Sequence, residues 1–244
     1  MHLRLFLLFS LSVIFSFCTA EEGIEMEKEN NGETGNETGN PAMHFLALGD
    51  SYTIGQGVTA DSRWPVLLTD TLIKSGFYME DPQIIARTGW TTGELKSGID
   101  AVSPKGPFDL VSLLIGVNNQ YRGVTSGYTM EGYRDEFSGL LQMAIDFAGG
   151  NPERVFVVSI PDYSVTPFVP ETSKERVSLE IDQYNSINRQ IADDLNVTYF
   201  DITPASRLAA DDQQLLASDN LHPSGKMYRM WVGIMTGDII KMLK

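Results

Sequence analysis

The chain has 244 residues, of which 42% are hydrophobic, and 32 acidic side chains outweigh 18 basic ones for a net charge of −14. That size suits one domain with a sizeable core once non-core segments are set aside. The negative balance, with no Lys/Arg-rich run, excludes a nucleic-acid partner, and a single cysteine, Cys18, excludes an internal disulfide, a cysteine zinc site and a cysteine nucleophile in the folded domain.

Residues 1–20 place Arg4 before an apolar run from Leu5 to Phe17, the layout of a secretory signal peptide and too short to span a bilayer comfortably. Two export routes fit. Cleavage after Ala20 gives a secreted or periplasmic protein, and lipid attachment at Cys18 gives a surface-anchored lipoprotein, the single route to membrane contact. The CTAEE run resembles acidic export signals of bacterial surface lipoproteins, although Cys18 also fits as an ordinary member of the apolar signal. Residues 21–40 hold seven Glu, one Lys and no aromatic residue, so they cannot bury enough surface to offset the entropy of ordering. They are predicted to be a disordered acidic spacer, with the folded domain at 41–244.

From Pro41 onward, short β-rich apolar runs alternate with stretches of helical period. Strands are predicted at Phe45–Leu48, Gln83–Ala86, Leu110–Ile115, Val155–Ile160 and Thr198–Phe200. Helices are predicted at Trp64–Lys74, Thr92–Ala101, Met130–Phe147, Lys174–Leu195 and Ser224–Leu243, each with an apolar stripe such as Trp64, Leu67, Leu68 and Leu72. Strand–helix alternation predicts a three-layer α/β/α domain around a flavodoxin-like, five-stranded parallel sheet.

Ligands of such sheets sit outside the carboxyl ends of the strands, so the residues that follow each strand are the candidates for chemistry. Strand one is followed by Gly49-Asp50-Ser51, where a serine on the turn can present its hydroxyl at the sheet edge. The same residues also serve as helix caps or phosphate-cradling turns. Strand two leads into Arg87-Thr88-Gly89-Trp90, and strand three into Gly116-Val117-Asn118-Asn119. A glycine N–H and an uncharged amide are the donor types that an oxyanion hole requires, though Gly-Asn and Asn-Asn pairs are also common turn formers.

Three histidines are present, and His2 lies in the signal peptide. His44 precedes strand one while Ser51 follows it, which separates them by roughly 16 Å. His222 remains as the candidate general base, with Asp219 three residues before it in Ser218-Asp219-Asn220-Leu221-His222. On a single turn the carboxylate can accept from one ring nitrogen while the other faces the serine. Read blandly, Asp219 caps a turn and His222 is a solvated loop residue.

Four blocks in order, GDS at 49–51, TGWTT at 88–92, GVNN at 116–119 and DNLH at 219–222, make the chain resemble the GDSL or SGNH ester hydrolases over residues 44–244, and within them exported, lysophospholipase-like members. The resemblance implies Ser51 as nucleophile, His222 and Asp219 as its triad partners, and the Ser51 N–H, the Gly89 N–H and the Asn118 side chain as oxyanion donors. Tyr52 stands where the family name has leucine, and Asn119 where many members have aspartate. The implied activity is carboxylic ester hydrolysis without metal or cofactor, on an extracellular acyl or acetyl ester of a carbohydrate or lipid.

Candidates for substrate contact are Asn119, Tyr121, Arg122 and Tyr163, with Arg122 able to meet an anionic group. Segment 161–170, with three prolines and two aromatics, is expected as a loop at the catalytic edge. Two other classes compete. A nucleotide phosphate on the first loop would meet Asp50 and find no Walker lysine. A non-catalytic glycan-binding protein on the same scaffold would have no use for an intact Ser51, Asp219 and His222.

Overall fold

A computed structural model describes residues 41–123 and 127–244. The predicted signal peptide and acidic spacer lie outside the described residues. The sheet has five strands, β1 (Phe45–Gly49), β2 (Gln83–Ala86), β3 (Leu110–Leu114), β4 (Val155–Val158) and β5 (Thr198–Phe200). All pairs are parallel and the order is β2-β1-β3-β4-β5. The three inner strands are buried along their whole length, whereas β2 and β5 are only partly covered. Strands buried on both faces read as unbroken apolar runs, which is why FLALG, LVSLL and VFVV stood out in the sequence.

Helices α1 (Ser51–Ile54), α2 (Trp64–Lys74), α3 (Thr92–Val102), α4 (Val117–Arg122), α5 (Met130–Phe147), α6 (Glu171–Asp194), α7 (Thr203–Arg207) and α8 (Gly225–Met242) complete the layers. Helix α2 packs on α8, while α3, α5 and α6 form a row with α5 against β3. Trp64, Phe45 and Phe156 meet between sheet and helices with ring centroids 6.1–6.2 Å apart, and Trp64 and Trp231 are wholly buried.

The chain leaves β1 for the edge strand β2 and returns to β3 on the other side of β1. That reversal opens a crevice at the carboxyl ends of β1 and β3. Gly49 pairs with Leu114 in the sheet register, so the residues after both strands emerge side by side.

Candidate active site

Ser51 is the first residue of α1, and the turn that delivers it is built around Asp50 and Gly49. A Cβ on Gly49 would lie 2.2 Å from Thr53 Oγ1 and 2.6 Å from the Leu114 carbonyl oxygen, so only hydrogen fits where α1 folds back over β1. Asp50 caps the helix by accepting the Tyr52 N–H at 3.0 Å. As the first helical residue, Ser51 has an N–H with no acceptor inside its own helix. The Ser51 side chain opens into a cavity of about 140 Å³ that it shares with Tyr52, Thr88, Gly89, Asn118 and His222, among others.

His222 reaches that cavity from the turn before α8. Its Nδ1 lies 2.7 Å from Asp219 Oδ2, while Asp219 Oδ1 accepts the backbone N–H groups of Leu221 and His222, both at 3.0 Å. Burial works against the Asp219 carboxylate, but these bonds outweigh it and hold the group below the usual carboxylate range. With Nδ1 committed to Asp219, Nε2 is the nitrogen left for proton transfer. Tyr52 packs its ring against the imidazole, with centroids 5.2 Å apart. Among the described residues, no hydrogen bond joins Ser51 Oγ to His222; the two share the cavity wall. Such contacts are often long without substrate and tighten in the complex.

The same cavity is lined by the two other donor candidates. Gly89 has φ +85°, a left-handed conformation suited to glycine, and its carbonyl accepts from Arg122 Nη2 at 2.5 Å. Asn118 follows Gly116, where φ is +128° and a Cβ would sit 2.3 Å from the Tyr133 hydroxyl. Asn118 Nδ2 donates to the Trp90 carbonyl at 2.9 Å and, at a longer 3.4 Å, to Asp50 Oδ2. The long bond is the one that a developing oxyanion could replace at little cost. Asp50 is fully buried, and burial pushes its carboxyl up to about 7 against the pull of the Tyr52 and Asn118 bonds.

Ser51, Gly89, Asn118 and His222 therefore converge on one cavity, with Asp219 behind the imidazole. Tyr121 and Tyr163 line the same cavity. Arg122 lies one step away, where an ion pair to Glu94 (3.0 Å) and the bond to Gly89 engage its guanidinium. Asn119 is fully buried and bound to Thr92 through N–H to Oδ1 (3.1 Å) and Nδ2 to Oγ1 (2.7 Å), tying α4 to the start of α3 away from the cavity. His44 stands at the far end of β1, paired with Glu80 at 3.3 Å. Sequence reasoning missed Tyr52, Thr88, Val117 and Leu221 as cavity walls and placed Phe168 at the catalytic edge only as part of its segment. Phe168 had a signal, its place in the proline-bounded 161–170 segment; Val117 and Leu221 are ordinary apolar residues whose role only the fold reveals. Among the described residues, no cluster of metal-ligating side chains occurs.

Residues 47–230 match the profile of the GDSL-like lipase/acylhydrolase family. Solved structures share the fold at low identity. TesA superposes with a TM-score of 0.62 at 16% identity, covering 82% of this chain and 100% of that one. The psychrotrophic esterase EstA from Pseudoalteromonas sp. gives 0.60 at 21%, covering 82% and 98%, and the acetylxylan esterase Axe2 from Geobacillus stearothermophilus gives 0.59 at 18%, covering 85% and 96%. Among curated proteins, none matches the chain significantly.

Proposed function

Since the chain belongs to the GDSL-like lipase/acylhydrolase family and is a carboxylic ester hydrolase, we propose that it acts through a Ser51-His222-Asp219 triad on an extracellular ester. His222 Nε2 takes the proton of Ser51 Oγ as Oγ attacks the ester carbonyl. The tetrahedral oxyanion accepts from the N–H groups of Ser51 and Gly89 and from Asn118 Nδ2. Collapse breaks the bond to the alcohol oxygen, which takes the proton from His222, and water then enters by the same route to release the acid and restore Ser51. Asp219 keeps the imidazole in the required tautomer and stabilises its cationic form.

The observation that carries this reading is the oriented pair itself: His222 Nδ1 held at 2.7 Å by Asp219 Oδ2, with the ring facing the cavity that exposes Ser51. Replacing Ser51 with alanine is expected to lower p-nitrophenyl acetate hydrolysis by about 10³-fold or more with folding unchanged. A folded Ser51→Ala protein with wild-type turnover would falsify the assignment.

The extracellular setting rests on residues 1–20, whose Arg4 and following apolar run support export, with Cys18 as the attachment point of a lipid anchor. The mass of the mature N-terminus distinguishes the routes: an acylated Cys18 marks the lipoprotein, and Glu21 at the N-terminus marks simple secretion.

A further inference from the structure

The Ser51 cavity opens beside a second and much larger one. The wider cleft holds about 840 Å³, against about 140 Å³ at Ser51, and Tyr121, Tyr163 and Phe168 line both. The three rings form the ridge between them: Tyr121 lies 5.8 Å from Phe168 and 6.3 Å from Tyr163, centroid to centroid. Two are conspicuously open, Tyr121 at 59% and Phe168 at 46% exposure. Beyond the ridge the lining is mixed: Met130, Val169, Val177 and Tyr184 give it apolar stretches, and a polar strip runs between them. Arg176 and Glu180 form an ion pair at 2.8 Å, Gln120 Nε2 donates to Glu180 at 2.6 Å, and the Tyr163 hydroxyl donates to Gln120 Oε1 at 2.7 Å. Gln183 adds a further amide to the wall.

This pairing of surfaces selects between the two halves of an ester. At the roughly 30 Å³ that a water occupies in the liquid, the Ser51 cavity has room for about four or five groups of that size. Its mainly apolar wall suits an acyl group from acetyl to butyryl. The polar strip disfavours an alkyl chain, because a chain crossing it would strip water from Arg176, Glu180 and Gln183 and return no hydrogen bond. A polyhydroxylated ligand keeps those groups satisfied and can set its C–H faces on the electron-rich faces of Tyr121 and Phe168. A cation or anion gains little from the wall, since Arg176 pairs with Glu180 and Arg122 with Glu94, and the net charge of −14 repels anions from the whole molecule.

We infer that the cleft bounded by Tyr121, Phe168, Arg176 and Gln183 binds the alcohol part of the ester, that this part is a neutral oligosaccharide, and that the Ser51 cavity takes its short acyl group. This inference rests on the Ser51 esterase reading. Its test compares kcat/KM for monoacetylated tetrasaccharides of glucose, xylose and mannose with kcat/KM for the matching monosaccharide acetates, for p-nitrophenyl acetate and for p-nitrophenyl dodecanoate. At least one tetrasaccharide acetate is expected to exceed its monosaccharide counterpart by tenfold or more. Tyr121→Ala and Arg176→Ala are each expected to erase most of that length advantage, losing several-fold more on the tetrasaccharide ester than on p-nitrophenyl acetate. Equal rates for long and short sugars of all three kinds, or a preference for the dodecanoate, overturns the inference while Ser51-dependent acetate hydrolysis keeps the esterase reading intact. Acetate hydrolysis that is absent, or that survives Ser51→Ala, overturns both.

Discussion

Asp50 combines two demands that a surface carboxylate never faces. Its two oxygens accept the Tyr52 N–H and the Asn118 amide, yet it is completely buried, so water cannot stabilise its charge. In the folded protein the carboxyl keeps its proton up to about pH 7, whereas its ordinary value is 3.8. Between those values the folded state binds the proton and the unfolded state does not, so raising the pH lowers stability. Asp50→Asn removes the titration. Relative to the variant, the wild type is expected to lose stability from pH 4.5 to pH 8, at about 1.4 kcal/mol per pKa unit and at most ~4 kcal/mol. Urea midpoints at the two pH values measure this, and an unchanged gap would mean that Asp50 is ionised throughout. Asp219 has the opposite setting, since its bonds hold the charged form. Asp219→Asn keeps one oxygen for the Leu221 and His222 N–H groups but points an NH₂ at His222 Nδ1, which forces the wrong tautomer. A drop in kcat of about 10³–10⁴-fold is expected, by analogy with triads wired in this way, and stopped-flow or steady-state ester hydrolysis reads it directly. That Ser51 and His222 would line one cavity, with Asp219 against the imidazole, was legible in the sequence because one usable histidine left few choices. The burial of Asp50 and the grip of Arg122 on the Gly89 carbonyl were not, because both depend on where β1, β2 and α4 end in space.

At the scale of elements, local pattern carried furthest where the segment was long or buried. The predicted bounds of β2, β5, α2 and α5 agree with the structure residue for residue. The runs predicted for β3 and β4 extend past the true ends because Ile115 and Ile160 are buried without pairing in the sheet. Val158 is the last residue of β4. The next residue, Ser159, turns its hydroxyl to the Ile202 and Thr203 N–H groups at 2.8 and 3.1 Å, and the strand ends there although apolar Ile160 follows. Helix α6 starts at Glu171, three residues before the expected start, because Pro170 occupies the N-cap position and sets the extended entry. The short helices α1, α4 and α7 escaped notice, since four to six residues are too few to display a period. Two of them carry candidate site residues, Ser51 on α1 and Asn118 on α4. The α1 turn is also a place where packing leaves little room. Gly49→Ala would push a methyl into Thr53 and into the backbone carbonyl of Leu114, which cannot rotate away. A loss of about 1–3 kcal/mol is expected from such overpacking, seen as a lower urea midpoint, together with reduced turnover because Ser51 moves with the turn. Wild-type stability in that variant would show that β1 and α1 separate more easily than their contact implies.

Over the whole molecule, the alternation of strands and helices was enough to read a parallel sheet with helices on both sides. The position of the candidate site, at the carboxyl ends of β1 and β3, followed from the strand-end rule. What the alternation did not reveal is the wide cleft, because its walls come from α4, segment 161–170 and α6, which are distant in sequence and meet only in the fold. Charge is the property that acts at this scale without regard to the fold, and −14 is a large excess for 244 residues. Within a Debye length of about 8–10 Å at ordinary ionic strength, that field repels an anionic substrate before any contact is made. For a pair of short-acyl esters that differ only in a carboxylate on the alcohol side, the neutral member is expected to have the higher kcat/KM at 10 mM salt. Raising the salt to 500 mM should increase kcat/KM several-fold for the anionic ester and leave the neutral one nearly unchanged, because screening removes repulsion but alters no contact at Ser51. If both esters respond alike, salt is acting on the enzyme's structure. If the anionic ester is favoured at low salt, a local cationic group outweighs the global field, and Arg122, half-buried beside Gly89 and paired with Glu94, is the residue to replace next.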